Sequence, residues 1–261
     1  ISGVGEMREY KKGYMLPPWC SRHDIHTVIV EEGITQIGST AFYGLKNATT
    51  FSLPNSLVSI GRDGFASYVF ERCENLETIT LPDNLMHLGD NAFQECFSLK
   101  SIRIPDGITS IESDVFSSCH ALEEVTLPAN LEHIYYGAFN GAALKEISFP
   151  ETLKSIGNYA FAHCRFAEVV IPSSVTQIGS YAFFDCQNLT SVQLPENLTS
   201  IQPSTFLGCI ALKSIDLPDT LSSIGDYAFQ FCSSLENLTI PPSVTSLGSC
   251  VFWNCDSLNE L

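Results

Sequence analysis

Basic residues are scarce in this chain: 13 Lys and Arg stand against 29 Asp and Glu in 261 residues, a net charge of −16. A phosphate backbone is held mainly through Lys and Arg, so the balance argues against a nucleic-acid partner. It argues equally against docking on an anionic membrane surface. Long hydrophobic runs are missing as well, and no apolar stretch approaches the roughly 20 residues of a membrane span. The chain does not open with a basic region, an apolar stretch and a cleavage site. It is therefore either made inside the cell or a trimmed segment of an exported protein. No C-x-x-C pair suggests zinc, and no G-x-S-x-G, P-loop or H-E-x-x-H points to an enzyme. Charged residues are only 16% beside 44% apolar ones, which rules out disorder.

What the chain does have is a period. Pro54, Pro82, Pro105, Pro128, Pro150, Pro172, Pro195, Pro218 and Pro241 are separated by 28, 23, 23, 22, 22, 23, 23 and 23 residues. A further unit lies upstream with Glu31 in the Pro slot, and the long interval is a five-residue insertion between Gly61 and Cys73. Three residues after the Pro stands Ile, Leu or Val; six after, Ile or Leu, as in Ile60, Leu88 and Ile224. Eleven after stands Phe, from Phe42 to Phe252, with Phe65 or Phe70 in the inserted unit. Three residues further, eight of ten units place Cys, and the unit's closing pattern is L-x-x-I-x-L-P, as in Leu76-Glu77-Thr78-Ile79-Thr80-Leu81-Pro82. A unit with so few inward residues cannot bury its own face, but a stack forms one apolar column, which is the physics of a solenoid.

The local grammar predicts the parts of each coil. L-x-x-I-x-L reads as a strand paired in parallel with its neighbours and stopped by the Pro. V/L-x-x-I-G reads as a second extended piece, with Gly in seven of ten units for a tight bend. Ser39, Asp90, Ser113, Asn158, Ser180, Asp226 and Ser249 follow as helix N-caps, making A-F-x-x-C one helical or 3₁₀ turn. The expected fold is an α/β solenoid of ten coils of about 23 residues over 25–261, preceded by a capping segment at 1–24.

The unit L-P-x-x-L-x-x-I-G-x-x-A-F-x-x-C-x-x-L-x-x-I resembles the BspA-like, treponemal-type leucine-rich repeat. The opening, with Gly5-Glu6-Met7-Arg8-Glu9-Tyr10 and Pro18-Trp19, resembles the module that precedes such repeats. The resemblance implies a right-handed, curved solenoid on a secreted or cell-surface bacterial protein. It implies adhesion to a protein ligand: host matrix, a host cell or another microbe. It carries no catalytic residue and implies no cofactor. Two departures stand out: Ala142 in a Cys slot, and the insertion. The chain stops at Leu261 in mid-strand, so the natural protein is expected to continue. The domain itself is expected to be a non-enzymatic monomer with no membrane insertion. The alternatives are a structural spacer and a non-catalytic part of a larger carbohydrate-active protein.

Two surfaces are candidates for binding. Strand side chains alternate, so the residue four before each Pro should face outward on the concave side. There Glu124, Glu146 and Glu168 are consecutive, with Arg103 nearby. They would stack as like charges on adjacent strands, forming a strip for a basic segment or simply a solvated acidic face. The second candidate is an aromatic ridge of Tyr159, Tyr181, Phe184, Tyr227, Phe231 and Trp253. It marks either an interaction site or coil-to-coil packing. The repeat cysteines are expected to form a buried thiol ladder, leaving Cys20 and Cys250 as the reactive or paired ones. His23 and His26 with Asp24 make only a weak metal motif.

Overall fold

A computed structural model describes residues 1–13, 15–20, 22–62 and 66–259; Phe65 and Leu261 lie outside the described residues. The chain winds as a parallel-strand β-solenoid. The residues six after each Pro, from Ile37 to Leu247, bound about nine turns, so the ten complete coils expected from counting units are not confirmed.

Each turn carries three faces that pair with the turns above and below. The first ladder is the L-x-x-I-x-L segment. It pairs Thr27–Ile29 with Thr50–Ser52, Ser101–Arg103 with Glu124–Thr126, and Glu168–Val170 with Ser191–Gln193 and then Ser214–Ile215. The second ladder is the x-x-I segment. It runs in three blocks: from Gly5–Glu6 to His87–Leu88, from Ser110–Ile111 to Gln177–Ile178, and from Ser200–Ile201 to Ser246–Leu247.

The third face differs from the expected helical turn: among the described residues there is no helix, so an α/β fold is not confirmed. In each coil the residue before A-F and the residue just before the Cys slot, four apart, lie in the left-handed region. Asn91 (φ 59°) and Glu95 (φ 58°) form one such pair, Tyr159 (56°) and His163 (61°) another. A right-handed helix cannot pass through such residues. Their amides, and that of the Phe between them, donate to the next coil instead of back along their own. Asn91 donates to Ser113 O, Phe93 to Val115 O and Glu95 to Ser117 O, each at 2.9 Å. This triplet repeats without a break down to Tyr227, Phe229 and Phe231, which donate to Ser249, Val251 and Trp253 at 2.9–3.0 Å. The residues read as N-caps serve the same axis. The side-chain oxygens of Asp90, Asn158 and Asp226 accept from the amides of Ser113, Ser180 and Ser249, one coil on, at 3.0, 2.8 and 2.6 Å. The turn face is thus the continuous spine, and the two strand ladders are the interrupted ones.

The Phe slot forms the core. Rings from Phe42 through Phe70 and Phe93 to Phe252 stack with neighbouring centroids 4.8–5.9 Å apart and interplanar angles of 4–26°. Phe70 therefore fills the slot in the inserted coil. The rings from Phe42 to Phe229 are fully buried.

Beside the rings runs the thiol ladder. Cys73, Cys96, Cys119, Cys164, Cys186, Cys209, Cys232 and Cys255 each donate Sγ–H to the Phe carbonyl of the preceding coil at 3.1–3.4 Å. That same carbonyl already accepts the amide three residues further along its own coil, as Phe70 O does from Cys73 N at 3.0 Å. A small apolar group with one weak donor satisfies this geometry. Burial pushes the thiols up, Cys119 to about 12 and Cys255 to about 11. All ten cysteines are free; Cys20 is half-buried and Cys250 exposed.

Residues ahead of the first coil close the end of the stack on all three faces. The N-terminal amine donates to Ile29 O at 2.6 Å on the first ladder. Gly5–Glu6 pairs with Ile34–Ile37 on the second. On the turn face, Tyr10 N donates to Ser39 O at 3.0 Å, and Trp19 Nε1 takes the place of a Phe amide by donating to Ala41 O at 2.7 Å.

Candidate functional site

The expected glutamate strip is only partly assembled. Glu124 and Glu168 stand exposed on their strands, Glu124–Thr126 and Glu168–Val170, but Glu146 lies on no strand. Lys145 N reaches Glu123 O at 3.4 Å; among the described residues, no backbone hydrogen bond then ties 146–149 to either neighbouring coil. The cause is chain length. Cys119 is three residues from Leu122, whereas Ala142 is two from Leu144 and Cys164 two from Phe166. These two coils lack one residue at the approach to the ladder, so the strand between them leaves its register. The three carboxylates therefore do not stack at strand spacing.

Their electrostatics are nonetheless distinctive. Among the described residues, ion pairs couple coils along the surface: Lys100 to Glu77 at 2.5 Å, Lys145 to Glu123 at 2.6 Å and Lys154 to Glu132 at 2.7 Å. Arg103 is used in the same way, holding Asp83 at 2.7 Å, so it is not a free cation in the strip. None of these pairs includes Glu124, Glu146 or Glu168.

Further along the first ladder lies a groove of about 540 Å3, bordered by Glu168, Val170, Glu196, Ser214 and Asp216. Val170 is 59% exposed on its floor. Past Arg165 the sequence has one basic residue, Lys213, against nine acidic ones. That asymmetry was visible in the sequence and points to Glu196 and Asp216, which inspection of the repeat slots passed over.

The aromatic ridge divides in two. Tyr159 and Tyr181, both half-buried, stack face to face at 4.5 Å and 3°. Tyr136 lies against Tyr159 at 5.6 Å, and Phe184 meets Tyr181 edge-on at 5.8 Å and His163 at 5.0 Å. Partial desolvation, then the neighbouring Tyr181 and Tyr136, push the Tyr159 phenol up. Rings that cover one another's faces are coil-to-coil packing more than an open platform. Ser204 occupies the next slot and ends this cluster. Beyond it Phe231 and Trp253 pair at 5.6 Å, and with Tyr227 they are 40%, 56% and 41% exposed.

The weak metal motif is otherwise engaged. Asp24 takes the Arg22 guanidinium at 2.7 and 2.6 Å, which holds its carboxyl down at about 2, and His26 Nδ1 lies 3.1 Å from Asn47 O. Among the described residues, no three His, Cys, Asp or Glu are grouped to hold a metal ion.

One arrangement had no signal in the repeat. Lys12 Nζ reaches both oxygens of Glu71 at 2.8 Å, with the Tyr68 ring centroid 4.1 Å away and that of Tyr43 5.3 Å away. The Glu71 side chain is 2% exposed and that of Lys12 39%. Burial raises the Glu71 carboxyl above its ordinary range although Lys12 opposes it. The inserted coil thus clasps the N-terminal segment through an ion pair 59 residues apart in sequence.

The family described as BspA type leucine-rich repeat region matches the chain in six copies, over residues 19–68, 35–167 and 154–261. A leucine-rich cell surface protein of Faecalibacterium prausnitzii A2-165 is similar in structure, with a TM-score of 0.53 and 27% identity over 98% of this chain and 86% of that one. A leucine-rich repeat protein of Bacteroides ovatus matches with a TM-score of 0.63 and 24% identity, over 89% of this chain and 77% of that one. One from Eubacterium ventriosum matches with a TM-score of 0.50 and 24% identity, over 100% and 90%; these two speak for the fold alone. None of the curated proteins compared with the chain matches it.

Proposed function

The chain belongs to the BspA-type leucine-rich repeat family, and on that premise we propose that it is a non-enzymatic, protein-binding scaffold displayed outside a bacterial cell. Its partner is a protein of host matrix, host cell or another microbe, and the chain acts as a monomer. The observation that supports this reading is the groove at Glu168, Val170, Glu196 and Asp216 on the first ladder, with Glu124 exposed on an earlier strand of the same ladder and Glu146 off-strand between them. Carboxylates without a cation of their own beside an exposed Val suit a cationic, partly apolar segment. Such a rim attracts its partner over a distance of order the Debye length and is weakened by salt. The aromatic cluster of Tyr227, Phe231 and Trp253 is the second contact surface, with Tyr159, Tyr181 and Phe184 as its packed continuation.

The test is binding of the purified chain to immobilised matrix proteins, fibronectin first, at two salt concentrations beside a Glu124/Glu146/Glu168→Ser variant. Saturable binding that weakens with salt and is lost in the variant supports the acidic surface. Binding unaffected by the variant moves the contact to the aromatic cluster, and absence of binding across the panel favours a spacer.

A further inference from the structure

The second ladder is broken at two of the three coils in which its glycine is replaced, those of Glu112 and Gln202. A Cβ at Gly179 would meet Asn158 N at 2.5 Å, and one at Gly225 would meet Pro203 N at 2.5 Å. These coils approach so closely only because the slot has no side chain. Gln202 brings a Cβ to that slot, and Pro203 beside it has no N–H to donate. The strand Ser200–Ile201 accordingly does not pair with Gln177–Ile178. Glu112 has the same effect between His87–Leu88 and Ser110–Ile111. Tyr135, which follows another side chain in the slot, stays bonded to Ile111 O at 2.8 Å.

In every intact coil pair this ladder closes through bonds such as Ser222 N to Thr199 O (2.9 Å) and Gly225 N to Ile201 O (2.8 Å). Among the described residues, their counterparts at the break, Thr199 N to Thr176 O and Gln202 N to Ile178 O, are not made. Two carbonyls and two amides are left facing an open groove of about 550 Å3, within the roughly 300–1,000 Å3 typical of small-ligand sites. No charged residue lines this groove, on a chain with net charge −16. Its walls offer the amides of Asn158 and Gln177, the hydroxyls of Thr176 and Thr199, and the ring of Tyr135, which is 42% exposed with one face toward His133 at 5.9 Å.

The geometry points to a binding site for a neutral oligosaccharide in this groove. Sugar hydroxyls both donate and accept, so they suit a lining of carbonyls, amides and hydroxyls. The C–H face of a sugar ring packs on an aromatic ring such as Tyr135. A cationic peptide would leave this groove for the acidic first ladder, and an anionic glycan would be repelled by the surrounding charge. The site lies on a different face from the protein-binding surface and does not depend on it.

Calorimetric titration of the whole chain with maltohexaose, cellohexaose and N-acetylchitohexaose tests the assignment, with a hyaluronan hexasaccharide as the anionic counterpart. At least one neutral probe should bind saturably and the hyaluronan probe should not. Tyr135→Ala and Gln202→Gly should each weaken binding at least tenfold, while Glu124/Glu146/Glu168→Ser leaves it unchanged. Gln202→Gly restores the repeat's own residue and should melt no lower than the parent, which separates loss of the site from loss of the fold. Failure of all three neutral probes, equal binding of hyaluronan, or binding that survives both groove variants would overturn the assignment.

Discussion

Lys12→Met should destabilise the N-terminal end far more than Glu71→Gln, although both break the same ion pair. Glu71 is the buried partner, 2% exposed, and Lys12, at 39%, reaches solvent when released. Removing the lysine leaves an ionised carboxylate in the packed interior with only Arg72, 4.0 Å away, as counter-charge; losses of roughly 3–5 kcal/mol are typical for a buried charge left without its partner. The partial exposure of Lys12 places this case at the lower end, about 3 kcal/mol. The amide of Glu71→Gln needs no counter-charge and still accepts from Lys12, so its loss should stay within about 1 kcal/mol. The raised Glu71 carboxyl agrees, because burial already disfavours the charged form there. The pH dependence follows from the same sign. A carboxyl raised in the folded state favours folding while it is protonated, and that contribution is lost as pH rises through the raised value. The Lys12→Met deficit should therefore be full at neutral pH and shrink as pH falls toward 4.5, the ordinary value of Glu. Urea unfolding at pH 7.5 and pH 4.5, followed by near-ultraviolet circular dichroism and by amide exchange of residues 1–12, reads both effects. The double variant should recover most of the loss. Glu71→Gln as damaging as Lys12→Met, or a Lys12→Met deficit independent of pH, would refute the reasoning.

Phe183→Ala removes a fully buried ring stacked between Phe161 and Phe206, at 5.8 and 5.6 Å. It should cost about 3–5 kcal/mol, and melting indistinguishable from the parent would show that the column is not the core. In the native chain at pH 8, an aromatic disulfide reagent should titrate Cys20 and Cys250 quickly. The eight ladder thiols, buried and held protonated, should react only in denaturant; rapid reaction of more than two would contradict the ladder. Amides of residues 146–149 should exchange much faster than those of the Phe slot, because they lack inter-coil partners. Equal protection would show that the first ladder is closed there.

The period of the Pro, Phe and Cys slots exposed the solenoid, because stacking repeats the same burial demand in every coil. It also gave the thiol ladder, now seen as Sγ–H bonds to Phe carbonyls. The turn was misread because Ser, Asp and Asn before A-F are chemically fit both for capping a helix and for bonding the next coil. Only the left-handed residues at Asn91 and Glu95 decide between these; Asn tolerates a positive φ, but Glu does not declare one in sequence. The 22-residue intervals around Pro150 were legible, yet their consequence, the strand lost at Glu146, depends on where the missing residue falls. The groove at Gln202 was also written in the repeat as a missing Gly. The Lys12–Glu71 clasp was not, since it joins the insertion to a segment outside the period.

Hydrogen exchange of the chain bound and unbound to the matrix protein that retains it would test the binding surface most directly. The account expects slowed exchange on the first-ladder strands Glu124–Thr126, Glu168–Val170, Ser191–Gln193 and Ser214–Ile215, with the turn face between Phe93 and Phe206 unchanged. Protection confined to the turn face, or absent from the first ladder, would contradict it.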